Sequence, residues 1–202
     1  MSRFRCDLHI HSCLSPCGDD DMTPANIAGM ATLNGLQIVA LTDHNSCKNC
    51  ESAIRVGEKI GITVVPGMEL CTCEEIHNIC LFPDIDRAMA FSDFISGTLP
   101  NIKNREKIFG EQLIMDELDN VLGKEEILLT TASSVSISDL DELTAKYDGV
   151  SYELHPGSGN IFPMLYARYN NIKNGSVLSF FMQTDGIDFY REIKETLDSI
   201  NN

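Results

Sequence analysis

The chain has 202 residues, 43% of them hydrophobic and 22% charged, which suits one domain with a real core and leaves little room for two. Its glycine and proline content is ordinary for a globular protein, which excludes collagen-like, disordered and low-complexity readings. Thirty acidic against 15 basic residues give a net charge of −15; such a surface repels a phosphate backbone, so the expectation is no nucleic-acid partner.

Apolar runs and helical patterns alternate from the start. Residues 4–10 read as a strand. Residues 23–33 read as a helix that Thr23 caps, Pro24 opens and Gly35 closes. A strand over 38–41, a helix over 53–60 closed by Gly61 and a strand over 62–65 continue a β/α rhythm. A helix is predicted from Asp84 to Ile95, ended by Gly97, and another opens at Ser138 and ends at Gly149. Between them, residues 100–134 break the rhythm: 112–115 and 121–122 flank the turn-rich 116–120, which predicts a hairpin insertion placed as a lid. Apolar runs over 150–154 and 177–182, a glycine-rich loop between them and a helix over about 188–200 complete the chain. There is no internal repeat. No window reaches the roughly 20 apolar residues of a membrane span, and the start MSRFRCDLHIHS lacks the apolar core of a secretory signal. The expectation is a cytoplasmic protein with no membrane partner.

Four of the five histidines fall at the ends of these runs: His9 and His11 at the first, His44 at the second and His155 beyond the late one. In a β/α barrel the carboxyl ends of the strands share one face, so residues distant in sequence converge there. His9 and His11 are two apart, so on a strand both imidazoles point to one side and can grip one ion at ~2.0–2.1 Å. Asp7 shares that side and is placed to fix a ring tautomer. Thr42-Asp43-His44-Asn45 follows a buried run, where polar residues need either partners or a function. Glu69 follows the third run and is placed to bridge two cations. A tight hairpin over 69–77 centred near Cys73 would set Glu69 opposite His77. Asp43 adjoins His44 and faces the other way, which makes it an orienter or proton acceptor rather than a ligand.

The segments Asp7-Leu8-His9-Ile10-His11-Ser12, Thr42-Asp43-His44-Asn45 and Gly67-Met68-Glu69, followed by His77, resemble the PHP domain, the polymerase and histidinol phosphatase family of metal-dependent phosphoesterases. The resemblance is carried by residues 4–82 and reaches about residue 155. It implies a distorted, TIM-like β/α barrel of seven strands holding two and up to three divalent ions, manganese, zinc or iron. By position it implies that His9, His11 and Glu69 bind a first ion, that Glu69, His77 and His155 bind a second, and that His44 serves a third. Relatives place another ligand six residues after the first pair, where this chain has Cys17, a softer donor. The family's late Asp-x-His reads Asp185-Gly186-Ile187 here, so Asp185 can ligate and Ile187 cannot, and the arginine that often follows the late histidine is missing after His155.

All eight cysteines lie in the first 80 residues. Without a secretory start they read as reduced thiols. Cys13-x-x-x-Cys17 and Cys47-x-x-Cys50 leave open a rival, a thiolate zinc or iron–sulfur site. For a phosphate, the candidate cations are Lys48, Lys103, Arg105 and Arg168, with the guanidinium forks of Arg105 and Arg168 preferred. The sequence thus predicts one PHP-like domain over residues 1–202. Its function would be to hydrolyse a phosphomonoester of a small metabolite or nucleotide with water held between two cations. The alternatives are a catalytically reduced metal-binding or regulatory module and a thiolate redox protein.

Overall fold

The computed structural model describes residues 4–153, 168–170 and 177–179. Two compact units divide the chain, Arg5–Leu154 and a second made of Met1–Phe4 with His155–Asn202. Within the described part of the second, strands β8 (Arg168–Asn170) and β9 (Val177–Ser179) pair antiparallel.

The first unit follows the β/α rhythm: β1 (Cys6–Ile10), α1 (Pro24–Leu33), β2 (Ile38–Leu41), α2 (Cys50–Ile60) and β3 (Thr63–Cys71). The rhythm then changes to a hairpin partner, β4 (His77–Leu81), followed by α3 (Ile85–Ser96). After it come the short α4 (Glu106–Phe109), β5 (Leu113–Met115), β6 (Val121–Lys124), α5 (Ile137–Ala145) and β7 (Val150–Glu153). The helix punctuation holds at α1, where the Thr23 side chain accepts the Asn26 N–H at 3.2 Å and Pro24 opens the helix. Gly61 ends α2 at φ 83°, a left-handed conformation that costs a residue without Cβ little. The cap of α5 is Ser136, two residues before the predicted Ser138, and Glu74 accepts from both the Ser136 hydroxyl and the Ile137 N–H.

The main sheet runs β1-β2-β3-β4-β7. β1, β2 and β3 are parallel, β4 is antiparallel to β3, and β7 is antiparallel to β4. A closed seven-stranded barrel is not found: among the described residues the sheet is open, with β1 and β7 at its edges. Closure needs a strand hydrogen-bonded to the free side of β1, and none of the described strands supplies it. β3 is also longer than predicted. Pro66 and Gly67, residue types common in turns, lie instead where β3 changes partner, from β2 through Pro66 to β4 from Gly67 onward. A Cβ at Gly67 would meet the Cys80 carbonyl at 2.6 Å, so the close approach of β4 requires glycine there.

Two clusters make up most of the core among the described residues, with a smaller one of Cys13, Leu113 and Met115 beside them. One joins Leu41, Met68, Leu70, Phe82 and Phe91 with Ile95 and Leu140, and its Phe82 and Phe91 rings lie 4.8 Å apart. The other joins Ala28 and Ala31 of α1 to Val39, Val56 and Ile62. Among the described residues no helix is long and apolar enough to cross a membrane.

The predicted hairpin within 100–134 forms as β5–β6. It is bonded into the unit: the Leu113 N–H donates to the Cys13 carbonyl at 2.9 Å, and Asn49 both donates to the Leu113 carbonyl at 3.0 Å and accepts the Met115 N–H at 2.9 Å.

Candidate metal centre

β1 delivers His9 to the carboxyl end of the parallel strands, with His11 just beyond it. The chain leaving β2 continues the parallel ladder for one bridge, His44 beside Glu69. The Asn45 N–H donates to the Glu69 carbonyl and the Glu69 N–H to the Asp43 carbonyl, each at 3.0 Å. That bridge sets a buried histidine next to a buried carboxylate. The β3–β4 hairpin brings His77, but in a register two residues from that expected: Cys71 pairs with His77 and Glu69 with Ile79. A shift of two preserves the face, so the His77 Nδ1 still reaches Glu69 Oε1, now on the diagonal.

Glu69, 4% exposed, is the centre of the cluster. Its Oε2 lies 2.6 Å from His9 Nε2 and 2.7 Å from His11 Nε2. Its Oε1 meets His77 Nδ1 and lies 3.9 Å from His44 Nδ1. His9 and His11 face each other Nε2 to Nε2 at 2.9 Å. Two neutral imidazoles so arranged set lone pair against lone pair unless a proton or a cation lies between them. The His44 Nδ1 is buried and has no hydrogen-bond partner among the described residues. Among the described residues three sets of donors could hold an ion: His9, His11 and Glu69; His44, Glu69 and His77; and His11, Cys17 and His44, each set within 4.8 Å. Imidazole and carboxylate donors suit zinc, iron and manganese, so the residues present fit the divalent ions that the sequence implies.

The electrostatics agree with such a cluster. Burial pulls the His44 imidazole down to about 4, Glu69 opposing it, so the ring is neutral and its nitrogen is available at neutral pH. Burial would raise the Glu69 carboxyl, but hydrogen bonds from His11 and His9 together hold it well below the usual range, hence ionised. Asp43, 1% exposed, is raised by burial and pulled back by Ser12 and Ser15. Its oxygens accept the Ser12 N–H at 2.7 Å, the Ser12 hydroxyl at 2.6 Å and the Ser15 hydroxyl at 2.7 Å. Ser15 Oγ in turn accepts the His44 N–H at 3.0 Å. Asp43 therefore ties the loop after His11 to the segment that carries His44.

Sequence reasoning missed Ser15 and gave no role to Ser12 or to Asn45, whose φ of 49° is held by bonds from its amide to the Leu129 and Thr131 carbonyls and by the Cys71 N–H. The available signal was the burial of polar residues beside the histidine motifs. Asp7 accepts the backbone N–H of His9 at 3.2 Å rather than a ring nitrogen. His155 and Asp185 lie outside the described residues. Arg168 begins β8 in the other unit and nothing is described of its side chain. Arg105 lies over the Phe109 ring at 5.7 Å, and no described contact joins it to the histidines. Lys48 and Lys103 are paired with Glu125 and Glu126.

The four-thiolate cluster does not form among the described residues. Cys47 donates to the Gly67 carbonyl at 3.2 Å, Cys50 to the Leu41 carbonyl at 3.5 Å, and Cys13 packs beside Leu113. Burial pushes the Cys13 thiol up to about 12 and the Cys47 thiol well above its ordinary value, so these are protonated core thiols. Cys17 differs: its Sγ lies 3.0 Å from His11 Nδ1.

An uncharacterized protein of Methanocaldococcus jannaschii is 33% identical over 96 residues, 43% of this chain, and the match spans just over half, 56%, of that protein's length. Two solved structures share the mixed α/β fold. One, from Bifidobacterium adolescentis and provisionally assigned as a metal-dependent phosphoesterase, has a TM-score of 0.54 at 17% identity over 80% of this chain and 70% of that one. The other, a lesion-specific endonuclease from Pyrococcus furiosus, has a TM-score of 0.52 at 19% identity over 75% of this chain and 34% of that one. The latter overturns the exclusion of nucleic acid: a fold like this one forms part of an endonuclease. Net charge sums the whole surface, whereas the local field of a cation-binding site decides whether a phosphate can approach. The family model of the PHP domain matches residues 7–196, through all of the motifs that build this cluster, and the chain belongs to that family.

Proposed function

We propose that the chain is a metal-dependent phosphoesterase that holds two divalent ions and hydrolyses a phosphomonoester of a small metabolite or nucleotide. One observation carries the reading: the two oxygens of buried Glu69 face different histidines, His9 and His11 on one side, His44 and His77 on the other. A carboxylate so placed is a bridge. His9, His11 and Glu69 would hold one ion; Glu69, His44 and His77 would hold the other, with His155 and Asp185 as further ligands by family position. Ions bound there would lower the pKa of water from 15.7 toward roughly 7 and polarise the phosphoryl oxygen.

The chain's own residues supply placement. Glu69 stays ionised and would help hold both ions. Asp43 is a positioning residue, acting through Ser12 and Ser15 on the loop after His11 and on the His44 backbone. Burial keeps His44 neutral, so at pH 7 no proton competes for its nitrogen. Ions held by these residues would offset the repulsion between an acidic protein and an anionic ester.

The test is phosphate release from a panel of phosphomonoesters, nucleotides included, with added manganese and then with chelator, alongside a DNA duplex bearing a lesion. Monoester hydrolysis that chelator abolishes is the expected result. Cleavage of the duplex alone would replace the monoester with a nucleic-acid substrate. No turnover on any substrate with metal bound would favour a binding or regulatory module, a reading supported by Ile187 in place of the family's last ligand.

A further inference from the structure

We propose that Cys47 and Cys50 are a redox-active dithiol, a pair that closes reversibly to a disulfide by exchange with a low-molecular-weight disulfide such as oxidised glutathione. The pairing stands on its own geometry; its effect on metal retention rests on the reading of the histidine cluster as a metal centre.

The pair sits at the junction of β2 and α2, inside the β2–α2–β3 unit whose two strands run parallel. A Cys-x-x-Cys beside such a unit is the sequence arrangement of thiol–disulfide exchange. Cys50 is the first residue of α2, and its N–H donates to the Cys47 carbonyl at 2.9 Å, which closes the turn between them. Both thiols converge on one acceptor: Cys47 Sγ donates to the Gly67 carbonyl at 3.2 Å and Cys50 Sγ to the same oxygen at 3.5 Å. The two side chains also bond to each other. Among the described residues neither sulfur belongs to a set of donors placed to hold an ion, and both pack in the apolar cluster of Leu41 and Met68. Two adjacent thiols outside any such set share one chemistry, oxidation to a disulfide.

Closure breaks two S–H bonds and forms one S–S bond. One sulfur attacks the oxidant, giving a mixed disulfide and expelling one thiol; the other sulfur then displaces the second thiol. Two electrons and two protons pass to the reagent, and a reductant reverses both steps. Burial holds the Cys47 thiol protonated, and both residues are shielded from solvent. Exchange therefore waits on opening of the first turn of α2 and runs over minutes to hours. Closure also has a direct route to the histidine cluster. It takes both S–H donors from the Gly67 carbonyl, two residues before Glu69, and it pulls on the segment that carries His44, three residues before Cys47. Oxidation would loosen the bridge that sets His44 beside Glu69.

The test treats folded, reduced full-length protein with oxidised glutathione, removes the reagent, alkylates the remaining free thiols under denaturing conditions and maps the peptides by mass. The expected product is a Cys47–Cys50 link, two hydrogen atoms lighter than the reduced peptide and reopened by a phosphine reductant. Cys47 and Cys50 recovered as alkylated thiols after prolonged treatment, or either sulfur joined to Cys80 instead, would overturn the proposal. Metal content per chain, counted before and after oxidation, reads the coupling. It should fall severalfold more in the wild type than in Cys50→Ser, whose exposed Cys17 and Cys73 meet the same reagent. An equal fall in both would assign the effect to the exposed thiols and contradict the coupling. A reduced wild type without metal would contradict it too, by removing the metal centre, while the peptide map still decides the pair. Should Cys50→Ser fail to fold, Cys50→Ala takes its place, and the wild-type map needs no variant.

Discussion

Glu69 is a carboxylate at 4% exposure ringed by His9, His11, His44 and His77. Glu69→Gln keeps the shape and removes the charge that would let one side chain serve two ions. Metal affinity should fall on the order of a hundredfold or more, read by isothermal titration, with the fold unchanged by circular dichroism. Asp43→Asn should lower turnover while leaving metal content nearly intact. Asp43→Ala leaves the Ser12 N–H and two buried hydroxyls without acceptors, so denaturant unfolding should show a loss of about 3 kcal/mol. The histidines and Glu69 were legible because a ligand pair spaced by one residue and a histidine after a buried run stand out in a sequence. The roles of Ser12, Ser15 and Asn45 were not, because the partners that define them lie 26 to 86 residues away and no periodicity points to them.

The β3–β4 hairpin shows what an element adds. Its existence matches the tight hairpin expected over residues 69–77. Its register does not, because the turn spans Thr72 to Ile76, with Glu75 at φ 60°, and centres on Glu74 rather than Cys73. Gly67→Ala would press a methyl against the Cys80 carbonyl and the Leu81 side chain, and should destabilise by about 3 kcal/mol. Glu74 links this turn to α5. Its bonds to Ser136 and to the Ile137 N–H depress its carboxyl to about 2 from an unfolded 4.5. The folded state thus binds fewer protons between those values, and the stabilisation is full above pH 4.5 and lost as pH falls toward 2. Glu74→Gln should therefore lower the melting temperature at pH 7, and the gap to wild type should close across that acid window; a constant gap would contradict the cap. The helix ends at Thr23 and Gly61 were readable because capping is local. The full length of β3 was hidden, because Pro66 and Gly67 carry turn chemistry and only the change of partner strand explains them there.

At the scale of the molecule, alternation of strand and helix correctly indicated a mixed α/β fold with parallel strands. The barrel came from family resemblance, and sheet closure is a long-range property that local patterning does not encode. Net charge was the least informative quantity of all: −15 says little about a pocket built of imidazoles and one buried carboxylate. We extend the single-domain reading over residues 1–202 as a proposal. It predicts that His155→Ala in the full chain lowers the number of ions retained after dialysis, and an unchanged number would separate the late segment from the centre. The most direct measurement of the central claim is metal content per chain by mass spectrometry, for protein purified without chelator and for Glu69→Gln prepared alongside. The account predicts about two ions in the wild type and fewer than one in the variant; a wild type without metal, or a count that ignores the loss of the Glu69 charge, would contradict it.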